Sequence, residues 1–159
     1  DGRIPLSYEA DSPNYLQCLR IPHDNPHHTT DTIFDHCYDT SEIIKDIIGT
    51  RYNCDFEDNN LVRAAFFHDI GKPQCKRMNE NGEATYYNHD HVGCYEAMLY
   101  GTENWYDEND IIEVCNLILY HMQIRNCNTD KARQKLIDKV GLRMYHKLLA
   151  LSMADTMAH

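Results

Sequence analysis

Six positions in this sequence have the side chains for metal chemistry: His36, the adjacent pair His68-Asp69, His89 or His91, His121 and Asp155. Imidazole nitrogen combined with carboxylate oxygen suits Fe, Mn, Zn, Co or Ni better than a soft thiolate site would. Each residue taken singly has a plainer reading. A lone histidine on a helix flank is more often a hydrogen-bonded core residue than a ligand. A carboxylate near a chain end is more often at the surface, and a histidine closing a helix can simply meet its free carbonyls. The set is harder to dismiss, because these residues fall on or beside apolar faces of five different helices. Ionised carboxylates are expensive to bury unless paired or coordinating a metal. Imidazoles and carboxylates from several helices facing one interior are how helical bundles build metal sites.

The elements that must carry these residues follow from periodicity. After Thr29-Thr30, which can cap, DTIFDHCYDTSEIIKDII reads as a helix that Gly49 ends, with Ile33, Cys37, Ile44 and Ile48 at helical spacing. His36 lies beside that stripe, in line with Thr40, Ile43 and Ile47. LVRAAFFHDIGK falls in a second helix, about Asn60 to Ile70, with Leu61, Ala64, Ala65 and His68 on one face and Gly71 and Pro73 stopping it. KRMNENGEATYY suggests a hairpin near residues 76–87, with a type I′ turn at Asn81-Gly82. Asn88 caps a third helix, HDHVGCYEAMLY, closed by Gly101. Asp107 or Asn109 opens a fourth, with Ile111, Cys115, Ile118 and Met122 on its stripe and Val114, Leu117 and His121 on the next line round. Thr129 caps a fifth that ends at Gly141 and faces inward with Leu136, Ile137 and Val140. The last, LRMYHKLLALSMADTMAH, sets Leu148, Leu151 and Asp155 on one side. Residues 1–20 form an irregular N-terminal segment, so the expected architecture is one all-α domain over residues 21–159 with a small hairpin insert.

Composition narrows the function. A chain of 159 residues can bury a real core. No segment has the long uncharged apolar run of a membrane span, and the N-terminus lacks the basic start and apolar stretch of a signal peptide. The chain begins on Asp1 rather than Met, which points to processing or to excision beside a neighbouring domain. A net charge of -10 argues against a general nucleic-acid-binding surface. The basic run Lys131, Arg133, Lys135, Lys139, Arg143 and Lys147 reads first as a solvated helix face. Seven cysteines without a CxxC pair speak against a disulfide framework and for the cytoplasm.

The order His36, His68-Asp69, Asp155 resembles the defining motif of the HD superfamily of metal-dependent phosphohydrolases. The flanking text, NPHHTTDTIFDHCYDT, RAAFFHDIGKP, ENGEATYYNHDHVG, LILYHM and LLALSMADTMAH, is most similar to the HD domain of bacterial CCA-adding tRNA nucleotidyltransferases. The resemblance runs from about Ile21 to the C-terminus. It implies that His36, His68, Asp69 and Asp155 hold a first divalent ion. It further implies one or two ions (Mn, Ni, Fe, Co or Zn); in members with two, Asp69 bridges and His89 and His121 complete the second site. His89 matches the family's histidine better than His91, although Asn88 stands where that motif has Gly. Lys72 fits a phosphate contact or a partner for Asp69, and Arg125 and His28 are further substrate-binding candidates. The nucleotidyl-transfer domain of those relatives has no room in residues 1–20, so this chain is not expected to add CCA by itself.

The resemblance implies hydrolysis of a phosphomonoester or phosphodiester on a nucleotide or an RNA end. Asp69 would orient the nucleophile and Lys72 would offset charge on the phosphate. Two other readings use the same scaffold: a di-iron oxygenase, and a non-catalytic HD domain that binds RNA or a protein partner.

Overall fold

A computed structural model describes residues 21, 22, 24, 32–51, 59–105 and 107–159. Helices dominate: α1 (Ile33–Arg51), α2 (Asn59–Phe67), the single turn α3 (Lys72–Cys75), α4 (His89–Asn104), α5 (Glu108–Tyr120), α6 (Asp130–Val140) and α7 (Leu142–Met157). A 3-10 turn (Ile124–Asn126) joins α5 to α6, and a two-stranded hairpin of β1 (Arg77–Met78) and β2 (Ala84–Thr85) precedes α4. The all-helical bundle with a hairpin insert is therefore present as expected. No helix among the described residues is long and apolar enough to cross a membrane.

Helix α2 lies at the centre, packed against α1, α5 and α7. Its apolar residues Ala64, Ala65, Phe66 and Phe67 are buried with Ile33 and Ile44 of α1, Leu117 and Ile118 of α5, and Leu148 and Leu151 of α7. Phe67 meets Trp105 edge to face, with ring centroids 5.7 Å apart. Among the described residues, no disulfide joins Cys37, Cys75, Cys94, Cys115 and Cys127.

Several boundaries differ from the sequence expectation for local reasons. Thr32 caps α1: its hydroxyl accepts the Asp35 N–H at 3.2 Å, and the Asp35 carboxylate accepts the Thr32 N–H at 3.2 Å. Thr29 and Thr30 lie outside the described residues. Helix α1 continues through the exposed Gly49 to Arg51, because an isolated glycine weakens a helix without stopping it. Gly101 likewise lies inside α4. A Cβ there would stand 2.4 Å from the Trp105 ring, so glycine makes room for that indole. The hairpin turn is not type I′, which needs positive φ at both central residues. Only Gly82 has it (φ 76), and the Asn79 side chain accepts the N–H groups of Asn81 and Glu83 at 2.9 Å each.

The largest difference is at the end of α2. The helix stops at Phe67, three residues early, and His68 to Gly71 form a turn in which the Ile70 N–H donates to the Phe67 carbonyl at 3.0 Å. Gly71 then presses against α4, where a Cβ would lie 2.3 Å from the His89 carbonyl oxygen and 2.5 Å from the Gly93 nitrogen. Backbone meets backbone at this point, so nothing flexible can yield. Gly71→Ala is expected to lose about 2–3 kcal/mol of stability, read by chemical denaturation. Unchanged stability would show that the turn can move.

Most of the basic run is exposed (Lys131, Lys135, Lys139 and Arg143), with Lys139 over the Tyr120 ring, whereas Arg133 is half-buried and pairs with Asp130, and the Lys147 side chain is largely buried against Glu113. Glu113 also accepts from Asn60 at 2.8 Å. Burial pushes its pKa up, but Lys147, Asn60 and Arg143 outweigh that and hold it below 4.5. A depressed pKa gives stability that is complete above 4.5 and lost as pH falls through the folded value. Glu113→Gln should therefore be less stable by about 1 kcal/mol at neutral pH, with the difference closing in denaturation curves as pH falls below 4.5 and through the folded value.

Candidate metal centre

The turn that ends α2 places His68 and Asp69 at the middle of the bundle. Around them stand His36 from the first turns of α1, His89 as the first residue of α4, His121 as the C-cap of α5, and Asp155 near the end of α7. All six are buried. Asp69 is the shared element. Its Oδ2 lies 3.4 Å from His68 Nε2, 3.6 Å from His36 Nε2 and 2.7 Å from Lys72 Nζ. Its Oδ1 lies 3.2 Å from His89 Nε2 and 3.7 Å from His121 Nε2. Asp155 faces it, with Oδ1 at 2.8 Å from His36 Nε2 and 3.4 Å from His68 Nε2, and Oδ2 at 3.3 Å from Arg125 Nη1.

Backbone carbonyls set the tautomers of these rings. The Nδ1 atoms of His68, His89 and His121 lie 2.6, 2.8 and 2.5 Å from the carbonyls of Ala65, Tyr86 and Ile118, and His36 Nδ1 lies 3.4 Å from that of Ala158. A carbonyl only accepts, so each Nδ1 carries the proton, and a ring in its neutral form turns an Nε2 lone pair inward. His89 and His121 Nε2 then face one another at 3.1 Å, beside the Asp69 carboxylate. His68 Nε2 lies near two carboxylates yet is aligned for a hydrogen bond with neither. Lone pairs and anions converging in a dry interior repel unless a cation stands among them. Donors bound to one ion at about 2.1 Å sit roughly 3 Å apart, which is the spacing found here. Two triads, His36-His68-Asp69 and Asp69-His89-His121, can each hold an ion, and they share Asp69. The donor set fits one or two divalent transition metals.

The electrostatics agree. Burial would raise the Asp69 pKa, but His68, Lys72 and the hydrogen bonds of His121 and His89 hold it well below the usual carboxylate range. Asp155 is likewise depressed, with His159, His36 and His68 overcoming its burial. For His68, burial works downward, and the Asp69 and Asp155 carboxylates turn the net shift upward. For His121, burial dominates and lowers the pKa. Both carboxylates are thus held ionised out of water, as ligands must be.

His36, His68, Asp69, His89, His121 and Asp155 come together as the sequence suggested, and between the two neighbouring histidines the structure selects His89. His91 is exposed and pairs with Asp90 at 2.9 Å. Lys72 is buried against Asp69, Arg125 is partly exposed against Asp155, and His28 lies outside the described residues. Sequence reasoning missed His159, whose Nε2 lies 3.4 Å from Asp155 Oδ1. Its position four residues after Asp155, at helical spacing, was the available signal.

The HD domain model matches residues 33–142. The chain belongs to the HD domain family. No curated protein matches the chain. Family membership and the paired His/Asp clusters together make this HD domain a metal-dependent phosphohydrolase. Asp155 lies beyond the matched range and joins the site through the return of α7 across α1.

Metal binding should stabilise the fold, by about 2.7 kcal/mol at a free concentration one hundred times Kd. Addition of Mn²⁺ or Zn²⁺ to chelator-treated protein is expected to raise Tm by about 5–10 °C, and Asp69→Ala should abolish the increment. Equal melting with and without metal would rule out the centre.

Proposed function

We propose that this HD domain, spanning residues 21–159, hydrolyses a phosphomonoester or phosphodiester carried by a nucleotide or an RNA end. The observation that carries this reading is a cleft of about 450 Å³ whose floor holds Asp69, His89 and Asp155 beside two cations, Lys72 and Arg125. In this reading His36, His68, Asp69 and Asp155 hold one ion, and Asp69, His89 and His121 hold a second. Such ions supply Lewis acidity, polarising a phosphoryl oxygen and bringing the pKa of water to about 7.

The protein's own residues do the rest. Lys72 keeps Asp69 ionised, and its Nζ, 5.1 Å from the centre of the Tyr86 ring, is held in place from both sides. A depressed carboxylate is a weak base, which suits Asp69 to bridging and to accepting a hydrogen bond from the nucleophile. Arg125 presents a partly exposed guanidinium at the cleft wall, where it can take two oxygens of a phosphate. Burial and the nearby carboxylates Asp24 and Asp69 push the Tyr86 hydroxyl up to about 12, so it stays a neutral donor. Tyr87, largely exposed on the same wall, offers a flat face to a base.

The resemblance of the flanking segments to the HD domain of CCA-adding enzymes supports RNA ends, and a cytoplasmic setting, as the first to test. A di-iron oxygenase has no evident use for two cations against its carboxylates, whereas a phosphate ester does.

The metal-loaded chain is expected to release phosphate from 2′-AMP and to open 2′,3′-cyclic AMP. Asp69→Ala should remove at least a thousandfold of kcat/KM, and Arg125→Ala about a hundredfold. Tyr87→Ala should mainly raise KM, by about tenfold. A loaded wild-type protein that turns over neither compound but takes up O₂ with iron would reverse the assignment.

A further inference from the structure

Three imidazole nitrogens approach one oxygen of Asp155: His36 Nε2 at 2.8 Å, His68 Nε2 at 3.4 Å and His159 Nε2 at 3.4 Å. The first two belong to the ligand set already described. His159 does not, and it comes from the last turn of the described chain. That turn is tied to the centre by a second contact. The Ala158 carbonyl accepts the Nδ1–H of His36 at 3.4 Å, while the Ala158 N–H donates to Ala154 at 3.0 Å. The same backbone therefore orients His36 and delivers His159.

An ordinary i,i+4 ion pair would account for His159 lying near Asp155. It would not account for its donor atom also standing within ligand range of His36, so that His36, Asp155 and His159 form a third triad able to hold an ion. The His36 and His159 rings meet edge to face, with centroids 5.2 Å apart. Arg125 occupies the other oxygen of Asp155, so Oδ1 is left to the imidazoles. A cation among these atoms would hold the His36 and His159 rings to Asp155 at once.

We infer that His159 is a ligand of the ion held by His36 and Asp155, a third imidazole at that position beyond the HD motif. The inference rests on reading the cluster as a metal centre. It makes the two positions unequal: the first has five protein donors, His36, His68, Asp69, Asp155 and His159. The second has Asp69, His89 and His121 and is the more open to water or substrate.

The test uses Co²⁺ alone on chelator-treated wild type, His159→Ala and His159→Gln. Affinity is read by equilibrium dialysis with elemental analysis. Ligated rings are counted as hyperfine-shifted imidazole N–H resonances in the proton spectrum. Both variants are expected to bind one cobalt at least tenfold more weakly and to lose one shifted resonance. Circular dichroism and Tm of the metal-free proteins identify a misfolded variant, and the glutamine form keeps the bulk and polarity of the ring. An unchanged number of shifted resonances overturns the inference whatever the affinity does, since His159 would then only hold Asp155 in place. Wild-type protein that takes up no cobalt defeats the metal reading itself, and His159 with it.

Discussion

The structure is organised around keeping one carboxylate ionised in a dry place. Asp69 is almost completely buried, where a lone carboxylate would take up a proton rather than stay charged. It stays charged because Lys72 touches one of its oxygens while imidazoles approach both. Each of those groups is held by its own element, and each element must arrive at the right depth and angle. The bundle packing is thus the means by which α1, the turn from α2 into α3, the start of α4 and the end of α5 satisfy one buried charge.

Close backbone approach gives that satisfaction its accuracy. Helix α2 stops at Phe67, so His68 and Asp69 leave on a turn and reach sideways, which consecutive helical residues cannot both do toward one point. Gly71 then lets the turn lie directly on the start of α4, and Gly93 accepts the contact from the other side with no side chain between them. That contact brings His89 to within 3.2 Å of Asp69. Asn88, just before it, adopts φ 65, a left-handed conformation where glycine is usual and asparagine the commonest substitute. The asparagine standing where the related motif has glycine therefore keeps the backbone path that points His89 inward. His121 is set by similar means, as the C-cap residue whose backbone N–H and ring Nδ1–H both donate to the Ile118 carbonyl at the end of α5.

The buried histidines and aspartates of the cluster were legible in the sequence because burying polar side chains leaves a pattern. A histidine or aspartate that recurs on an apolar line, on several helices at once, is costly enough to bury that a shared site is the natural reason for it. The helix count and the hairpin were legible for the same reason, since periodicity and Asn-Gly punctuation are local. What was not legible depends on contacts between distant segments. Gly49 and Gly101 look alike as helix enders, yet α1 passes through the first and α4 through the second, which is shaped by Trp105. Nothing local announces that α2 must end at Phe67, because the reason lies in α4. His159 was missed because one histidine four residues from an aspartate is common on any helix. Only the position of His36, more than a hundred residues earlier in the chain, gives that spacing meaning.

The charge distribution links the site to the kind of substrate it can take. The chain carries a net charge of -10, so a long polyanion lying across its surface would be repelled along most of its length. The cleft offsets that sign locally: Asp69 is paired with Lys72, Asp155 with Arg125 and Asp90 with His91, and a divalent ion seated among the imidazoles would add positive charge. Within a Debye length of about 8–10 Å a single phosphate feels the cleft, and beyond it the acidic exterior prevails. Such a field admits a small anion or a chain end and works against an internal stretch of nucleic acid. The proposed preference for terminal phosphates is in keeping with that field and does not require a groove that reads sequence.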